Sequence, residues 1–479
     1  MNISQQKDFY LKLISNFPFE ATDDQQDFIR KISLFIIDPN QNLFVLGGYA
    51  GTGKTTLVNT LVKSLPSIKA RSVLLAPTGR AAKVLAGYTG KNAFTIHKWI
   101  YNRQEDDGGI FRFALKANKY TNTLFIVDEA SMIGESGAEG GILTSRSLLE
   151  DLFTYTFSGE NCKVLLIGDA AQLPPVGMNV SPALNLKSLK ERMGEIPPFS
   201  ALKQVMRQEK DSGILHNATL IRNAVRSKEF YIPKFKLSGF KDVHRITGNE
   251  LPDALNYCYR EYGETESILI TRSNKRANQF NQLIKNRIKM HEDEICAGDL
   301  MMVVKNNYFW LNDESKAGFI ANGDAIELQR IRNIHEMYDF RFADAVIQLI
   351  DYPDQAPFEC KILLNTLYAE APALDKEQNE LLYRNVGEDY SHISDKKVRM
   401  AELRKNPYLN ALQVKFGYAI TCHKAQGGQW DAVFVDQGYI TEEMMDLGFL
   451  RWLYTAVSRA KTELYLVNFN DLFFTNPLF

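Results

Sequence analysis

The sequence of 479 residues predicts an α/β protein with two lobes, each built on a parallel β-sheet. Two sets of short apolar runs indicate this fold class, because each run breaks into a polar or glycine-rich loop and helical patterns lie between the runs. The first set comprises LFVL (43–46), VLL (73–75), LFIV (124–127) and VLLI (164–167). The second set comprises ILIT (268–271), AVFV (432–435) and LYLV (464–467). Uninterrupted apolar strands of this kind are typical of sheets that helices cover on both faces.

A long segment of different character separates the strands of the second set. Residues 300–350 are β-rich, with an Asn-Gly turn at Asn322 and Gly323. Residues 366–408 are charged and mostly helical in pattern. We therefore expect a small β-barrel with a helical extension, inserted in the second lobe.

Composition limits the classes of protein that remain. With 45% hydrophobic and 24% charged residues, the chain has enough apolar material for two or more domains. The formal net charge of −1 gives no sign of a polyanion partner, so any nucleic-acid surface has to be local. The five cysteines contain no CxxC pair, which argues against a disulfide framework or a structural zinc site. No secretory signal and no run of about 18 apolar residues occurs, so we expect a cytoplasmic protein without a membrane span.

The strongest chemical signal is GGYAGTGKTT, residues 47–56, between the strand LFVL and a helical pattern. It matches the phosphate-binding motif G-x-x-x-x-G-K-[ST] in the strand–loop–helix context that this motif requires. Backbone N–H groups of such a loop surround phosphates, Lys54 reaches the β- and γ-phosphate oxygens, and the Thr55 hydroxyl binds Mg²⁺. The residues expected to contact the nucleotide are Gly48, Gly51, Thr52, Gly53, Lys54, Thr55 and Thr56.

Acidic and amide side chains follow the last two strands of the first set. Asp128 and Glu129 come directly after residues 124–127, where Asp128 can hold Mg²⁺ while Glu129 polarises the attacking water. The strand 164–167 runs into GDAAQLPPV, in which the amide of Gln172 can hydrogen-bond the γ-phosphate or that water. These patterns predict hydrolysis of ATP or GTP.

Eight motifs, taken in order, resemble those of the superfamily-one DNA helicases of the RecD and phage Dda type. They are GGYAGTGKTT, LLAPTGRAAKVL, FTIHKWI, VDEASM, GDAAQLPPV, LKQVMRQ, ITCHKAQGGQWDAVFV and LYTAVSRAKTELYLV, and they span residues 22–185 and 200–470. The resemblance implies two RecA-like P-loop lobes, a small β-hairpin insertion in the first lobe and an SH3-like barrel with a helical extension in the second. The implied boundaries are 1–97 and 120–190 for the first lobe, 98–119 for the hairpin, 191–299 and 409–479 for the second lobe, and 300–408 for the barrel.

On the nucleotide side, the resemblance implies ATP and Mg²⁺ as cofactors. The segment ATDDQQDFI looks like the adenine-reading segment of the family, which makes Gln25 a candidate for a bidentate contact to the base. Arg207 in LKQVMRQ and Arg459 in LYTAVSRAK look like the arginine fingers, which stabilise the transferring phosphoryl group when the lobes close. The expected catalytic residues are thus Lys54, Asp128, Glu129, Gln172, Arg207 and Arg459, with Thr55 and Asp128 as metal ligands.

On the DNA side, the residues Pro77, Thr78, Thr95 and His97 look like the loops that grip a single-stranded backbone in the family. The segment 271–289 carries Arg272 and further basic residues, and it either lines the same groove or forms a solvated helix face. Between FTIHKWI and VDEASM, an Asp-Gly-Gly turn predicts a β-hairpin. In the family, a hairpin at this place splits the duplex, so Phe111 or Phe113 would stack on the last base pair. A hairpin that merely packs on the lobe would have the same sequence pattern.

The stretch ITCHKAQGGQW, residues 420–430, places Cys422 beside His423. A catalytic Cys-His pair has to meet in space rather than in sequence, and no further ligand follows nearby, so we expect neither a thiol nucleophile nor a metal site. The resemblance places this stretch where nucleotide cleft and DNA groove meet in the second lobe. It makes Thr421, His423 and Lys424 candidates for DNA contact, Gly427 and Gly428 candidates for the nucleotide side, and Cys422 a small packed side chain.

The sequence therefore predicts an ATP-dependent DNA helicase or translocase that moves on single-stranded DNA and unwinds duplex DNA in replication, recombination or repair. The resemblance, not any single residue, implies 5′→3′ travel. Single-stranded and forked DNA are the expected partners of a monomer, with single-strand-binding or repair proteins as further candidates. The alternative is a nucleotide-switched DNA-binding ATPase subunit without strand separation, but Glu129 and the two arginines serve turnover rather than binding. A P-loop kinase would share Lys54 and Asp128, yet it gives no reason for GDAAQLPPV or a second lobe.

Overall fold

The first lobe is a six-stranded parallel sheet with helices on both faces. The fold comes from a computed structural model, which describes residues 3–105, 111–135, 146–204, 212–227, 229–311, 315 and 317–475. The strands are β1 (Leu43–Gly48), β2 (Arg71–Ala76), β3 (Ala93–Thr95), β6 (Thr123–Val127), β7 (Lys163–Gly168) and β8 (Phe199–Leu202), and their order in the sheet is β3-β2-β6-β7-β1-β8. Every residue of β6 and β7 is buried, which agrees with the apolar runs of the sequence.

The helices of this lobe begin where the sequence supplies caps. They are α1 (Ile3–Asn16), α2 (Asp23–Ile37), α3 (Lys54–Ser64), α4 (Gly79–Thr89), α5 (Ile96–Ile100), α6 (Leu148–Phe157) and α7 (Leu186–Met193). Thr22 and Gln25 form a capping box at the start of α2, and the Thr78 hydroxyl accepts from the Ala81 N–H at the start of α4. Two further strands, β4 (Tyr101–Glu105) and β5 (Phe111–Leu115), pair antiparallel as a separate two-stranded sheet at the expected hairpin.

The second lobe is a five-stranded parallel sheet that the chain builds in two passes. The first pass supplies α8 (Gly213–Arg226), β9 (Val243–Ile246), α9 (Leu251–Tyr262), β10 (Ser267–Thr271) and α10 (Asn274–Leu283). After the barrel, the second pass supplies β16 (Ala419–Thr421), α13 (Cys422–Ala425), β17 (Trp430–Asp436), α14 (Leu447–Val457) and β18 (Ala460–Val467). The order in the sheet is β16-β10-β17-β18-β9.

The insertion between these passes is a closed five-stranded barrel. Its strands are β11 (Leu300–Val303), β12 (Ala325–Met337), β13 (Phe340–Leu349), β14 (Phe358–Leu363) and β15 (Leu412–Phe416). The helices α11 (Lys376–Asp389) and α12 (Lys396–Arg404) form the extension, and they pack on one end of the barrel around Phe342, Val386 and Leu403. The first and last barrel strands are neighbours, since Met301 of β11 pairs with Phe416 of β15. A closed barrel is thus present, while its SH3-like character stays a prediction.

Two expected boundaries differ from the structure. The sequence predicts that the first lobe ends at residue 190, but β8 at 199–202 pairs with β1 and belongs to the first sheet. It predicts that the barrel ends at residue 408, but β15 at 412–416 closes the barrel against β11 and β14. Both segments are short apolar stretches beside a lobe junction, and only hydrogen-bond pairing decides which sheet they join.

Candidate active site between the two lobes

The phosphate-binding loop lies between β1 and α3, as the motif predicts. Gly53 has a φ of 81°, which a side chain would strain, and a Cβ at Gly48 would lie 2.8 Å from Cγ of Lys54. Because this glycine leaves room, the Lys54 side chain folds along the loop. Its ammonium donates to the carbonyl oxygens of Gly48 at 2.7 Å and Tyr49 at 2.9 Å. The Lys54 side chain is therefore hydrogen-bonded within the phosphate-binding loop.

Asp128 lies at the carboxyl end of β6, and its carboxylate is held on both sides. Oδ1 accepts from the Glu129 N–H at 2.9 Å, and Oδ2 accepts from the Tyr88 hydroxyl at 2.6 Å. Burial and the neighbouring Glu129 raise the pKa of Asp128, while the Tyr88 hydrogen bond and Lys54 act in the opposite direction. Sequence reasoning missed Tyr88, because a tyrosine near the end of a helix carries no motif.

Glu129 faces the second lobe rather than its own sheet. Its backbone has a φ of 50°, a left-handed conformation that is uncommon for residues other than glycine. The turn directs the carboxylate to Arg459, with Oε1 lying 3.5 Å from Nη1. Arg459 is only 3% exposed, and it is also held by the carbonyl oxygens of Thr455 at 3.1 Å and Gly428 at 3.3 Å. The structure therefore brings together two residues that the sequence analysis assigned to opposing lobes.

A second carboxylate, Asp169, follows β7 and is also buried. Burial raises its pKa, while Lys54 and a hydrogen bond from Tyr454 lower it. Gln172, three residues further on, is 5% exposed. Within the described part of the chain its side-chain oxygen has no hydrogen-bond partner. A buried amide oxygen without a partner can accept a hydrogen bond from a polar ligand.

Gln25 lies against the phosphate-binding loop and is completely buried. Its Nε2 donates to the carbonyl oxygen of Thr52 at 3.1 Å, and its Oε1 accepts from the Thr22 N–H at 3.0 Å. The predicted segment is therefore adjacent to the loop, although its amide is engaged within the protein in this structure. Contact with an adenine base stays a prediction.

Three predicted residues cannot be placed in the same way. Arg207, the second expected arginine finger, lies outside the residues that the structure describes. Phe111 and Phe113 belong to β5 by their backbone pairing, but their side chains also lie outside the description. Their roles remain predictions from the resemblance.

The stretch 420–430 lies between the lobes. A Cβ at Gly427 would lie 2.8 Å from Cβ of Ala81, and a Cβ at Gly428 would lie 3.0 Å from Cδ of Arg80, so both glycines allow close approach to the start of α4. The Arg80 guanidinium stacks on Trp430, 4.1 Å from the ring centroid. These contacts link the glycines to the first lobe, while the nucleotide contact expected for them stays a prediction.

Cys422 is a packed side chain, as expected. It is 1% exposed, its Sγ lies 3.5 Å from the carbonyl oxygen of Trp452, and burial raises the pKa of the thiol to about 12. His423 is exposed and Thr421 is half-buried. Lys424 donates to the side-chain oxygen of Asn322 in the barrel, and burial together with Lys415 lowers its pKa to about 8.

A cavity lies where the first lobe, the second lobe and the barrel meet. Residues from all three units line it, among them Thr78, Arg80, Met302, Gly323, Lys424 and Trp430. Thr78 and Lys424 are both predicted DNA contacts, and they come from motifs that are distant in sequence. The cavity therefore brings one predicted DNA contact of each lobe to the same place.

Other predicted DNA contacts serve local structure here. The hydroxyl of Thr95 accepts from the Lys98 N–H at 3.2 Å and caps α5, and Thr95 is only 5% exposed. His97 is half-buried, and burial lowers its pKa to about 4, so its ring is neutral near pH 7. Pro77 is half-buried in the turn before α4. Contacts of these residues with DNA stay predictions.

The basic segment 271–289 is partly internal. Arg276 pairs with the buried Asp436 at 2.8 Å, and Lys285 is 2% exposed and lies 3.5 Å from Asp299. Arg272 stacks on Phe449, 5.3 Å from the ring centroid. Arg276 and Lys285 are therefore engaged within the protein, while Arg272 is exposed, so a DNA contact of Arg272 stays a prediction.

The barrel also contacts α4 of the first lobe directly. A Cβ at Gly79 would lie 2.8 Å from Oδ1 of Asp324, which follows the Asn322–Gly323 turn. Lys83, one turn further along α4, lies 3.6 Å from Asp351 of the barrel. Burial, and to a smaller extent Asp351, raises the pKa of Asp324 to about 7. The barrel thus places two buried carboxylates against the start of one helix.

Comparisons with known proteins match both halves of the chain. A family profile described as an AAA domain matches residues 20–232, and one described as a UvrD-like helicase C-terminal domain matches residues 416–467. The ATP-dependent DNA helicase dda of Enterobacteria phage T4 is 22% identical over 484 residues, which cover 94% of this chain and 100% of dda. The ATP-dependent DNA helicase Pif1 of Campylobacter jejuni is 25% identical over 444 residues, 88% of this chain and 86% of Pif1.

The ATP-dependent RecD2 DNA helicase of Deinococcus radiodurans shows a higher identity over a shorter segment. It is 34% identical over 177 residues, 37% of this chain and only 21% of RecD2. Across the described residues, no helix combines the length and the apolar character needed to cross a membrane.

Proposed function

Because this chain belongs to the Pif1/RecD-like group of superfamily-one helicases and is an ATP-dependent DNA helicase, we propose that it travels 5′→3′ along single-stranded DNA and splits the duplex ahead. Separating DNA strands costs on average about 1.4 kcal/mol for each base-pair step, which ATP hydrolysis has to supply. The direction and the residues in the following roles are proposals.

The phosphate end of ATP is held by the loop between β1 and α3. Lys54 contacts the β- and γ-phosphates, and the loop N–H groups surround them. Thr55 and Asp128 would hold Mg²⁺, which supplies positive charge to the phosphate oxygens when it is bound. The site fits such an ion, because hard oxygen ligands suit Mg²⁺ and because burial and repulsion from Glu129 raise the pKa of both Asp128 and Asp169, an effect that a bound cation would offset.

Hydrolysis then uses residues from both lobes. Glu129 polarises the attacking water, Gln172 orients it, and Arg459 stabilises the charge on the transferring phosphoryl group. The single observation that carries this proposal is the contact between Arg459 and Glu129, 3.5 Å apart across the cleft. Arg207 would add a second guanidinium. A site whose groups come from two lobes functions only when these lobes are together.

DNA passes through the channel marked by the three-way cavity. Thr78 from the first lobe and Lys424 from the second line this cavity and would contact the phosphate backbone. The helix α4 begins at Thr78 and carries Tyr88, the hydrogen-bond donor to Asp128, near its other end. One short helix therefore connects the DNA grip with the nucleotide site. The hairpin of β4 and β5, with Phe111 and Phe113, would act as the pin.

Replication, recombination or repair are the processes that such a monomeric motor would serve, with single-strand-binding or repair proteins as partners. The test of the function is an unwinding assay with 5′-tailed and 3′-tailed duplexes, run with the wild type and with Lys54→Ala. We expect the wild type to unwind only the 5′-tailed duplex and Lys54→Ala to unwind neither. Unwinding of only the 3′-tailed duplex would reverse the proposed direction. ATP hydrolysis without strand separation would favour a DNA-binding ATPase subunit.

A further inference from the structure

One tyrosine of the second lobe connects two parts of the nucleotide site in the first. The hydroxyl of Tyr454 accepts from the Ala50 N–H at 3.0 Å and donates to Oδ2 of Asp169 at 2.5 Å. Ala50 belongs to the phosphate-binding loop, and Asp169 follows β7. Both Tyr454 and Asp169 are 1% exposed. The phenol thus joins the loop and the carboxylate across the boundary between the lobes.

These hydrogen bonds lie in surroundings where they are strong. Asp169 is a buried carboxylate whose other oxygen accepts from the Ala171 N–H at 2.9 Å. A hydrogen bond to a buried charged group is stronger than one between neutral groups, because little water competes for the acceptor. Removal or displacement of the Tyr454 hydroxyl therefore costs more free energy than the loss of a hydrogen bond between neutral groups.

The helix α14, which carries Tyr454, contacts the segment after β7 at a second point. The hydroxyl of Thr455 accepts from the Leu173 N–H at 2.8 Å. The two ends of the segment 169–173 are thus attached to neighbouring residues of α14. The same helix positions the finger, because Nε of Arg459 donates to the carbonyl oxygen of Thr455 at 3.1 Å. A displacement of α14 consequently moves Arg459 as well.

We propose that Tyr454 is a positioning residue that makes the placement of Arg459 depend on the state of the phosphate-binding loop. This inference rests on the proposed function. N–H groups of the loop turn towards phosphates when a nucleotide binds. A change at the Ala50 N–H removes or reorients one of the two partners of the phenol, and α14 moves in response. Nucleotide binding in the first lobe is thereby transmitted to the second lobe, which carries Arg459 and Lys424.

The test compares wild type with Tyr454→Phe, which retains the buried ring and loses the hydroxyl. The measured quantity is a coupling factor, the ratio of dissociation constants for a fluorescent oligo(dT) without nucleotide and with a non-hydrolysable ATP analogue. We expect Tyr454→Phe to reduce the wild-type factor by at least about 5-fold, within the usual range of allosteric coupling. We also expect kcat of the DNA-stimulated ATPase to fall about 10-fold, while KM for ATP changes by less than about 3-fold.

Two further variants separate this role from a general loss of structure. Asp169→Asn weakens the same hydrogen bond from the other side, so it should reduce the coupling factor, and the double variant should show no additional loss. Tyr465→Phe is the matched control, because Tyr465 is a buried tyrosine of the same lobe whose hydroxyl donates to Glu463 instead. It should retain the wild-type factor.

The outcome that overturns the inference is a Tyr454→Phe protein that couples nucleotide and DNA within about 2-fold of wild type. An equal loss in Tyr465→Phe would also overturn it, because the effect would then come from any lost tyrosine hydroxyl. Failure of the proposed function is seen in a different measurement, because the wild-type protein would then not unwind DNA. The coupling factor of Tyr454→Phe plays no part in that result.

Discussion

Nη1 of Arg459 lies 3.5 Å from Oε1 of Glu129, although the arginine follows α14 of the second lobe and the glutamate follows β6 of the first. The arginine is almost fully buried, and the glutamate is positioned by a left-handed backbone turn. Neither lobe can assemble this pair alone. Any movement that separates the lobes therefore separates Glu129, which we propose activates water, from Arg459, which we propose stabilises the transition state.

Replacement of Arg459 by lysine should reduce kcat of the DNA-stimulated ATPase by at least about 100-fold, because an ammonium cannot reproduce the planar contacts of an arginine finger. KM for ATP should change little, since the finger acts in the transition state. Steady-state ATPase measurements with saturating oligo(dT) check this. Arg332→Lys, at an exposed barrel arginine paired with Glu359, is the control and should behave as wild type. Normal turnover in Arg459→Lys would show that Arg459 only bridges the lobes.

Replacement of Glu129 by glutamine should abolish most turnover while nucleotide binding persists. Glutamine retains the shape of the side chain but cannot accept a proton from water, so kcat should fall by about 100-fold or more. Binding of a fluorescent ADP, measured by anisotropy, should remain within about 3-fold of wild type, since Glu129 acts in hydrolysis rather than in ground-state binding. A variant that loses binding and turnover together would instead assign Glu129 to nucleotide or metal binding.

Tyr88→Phe should change the dependence of ATPase activity on pH. Asp128 has to be ionised to hold Mg²⁺, and its pKa is already raised by burial and by Glu129. The Tyr88 hydrogen bond stabilises the carboxylate, so its loss raises the pKa of Asp128 further. The acidic limb of kcat/KM for ATP should therefore move to higher pH. Tyr383→Phe in α11 is the control, and an unchanged profile in Tyr88→Phe would contradict the prediction.

Asp324→Asn should stabilise the protein at alkaline pH. Burial raises the pKa of Asp324 to about 7 from 3.8, so between these values the folded protein holds a proton that the unfolded chain has released. Folding is therefore favoured at low pH, and this contribution is lost as the pH rises towards 7. Asparagine does not ionise, so it removes the free-energy cost of charging Asp324 in the folded protein, which has an upper limit of about 4 kcal/mol. The thermal midpoint of the variant should exceed that of wild type at pH 8 and converge with it near pH 4.

An equal pH dependence of the two midpoints would show that Asp324 ionises freely in the folded protein. Glu359→Gln, which removes an exposed carboxylate of the same barrel, is the matched control and should not change the pH dependence.

The sequence predicted the parallel sheets because their strands are buried on both faces and contain little else than apolar residues. It predicted Lys54, Asp128 and Glu129 because these residue types follow strands at fixed positions. The resemblance, and not spacing, made Arg459 a candidate arginine finger, whereas its contact with Glu129 is seen only in the structure. For Lys54, Asp128 and Glu129, local sequence patterns were sufficient to single out the residue.

Other features depend on contacts between distant segments, and no local pattern reports them. Tyr88 and Tyr454 are ordinary helix residues until folding places them beside Asp128 and Asp169. The strand at 199–202 joins the first sheet through its pairing with β1, which composition does not reveal. Thr95 has the residue type of a phosphate contact, but in the structure its hydroxyl caps a helix. Serine and threonine serve both purposes, so sequence alone does not separate them.

The chain enters the barrel at β11 and leaves it at β15, and these two strands are paired neighbours. An insertion whose two crossings are adjacent leaves its host sheet continuous, because every strand of the second sheet lies outside residues 300–416. The buried residues of the barrel and of the second lobe nevertheless form one hydrophobic cluster. A different barrel grafted between the same two positions therefore has to reproduce that packing.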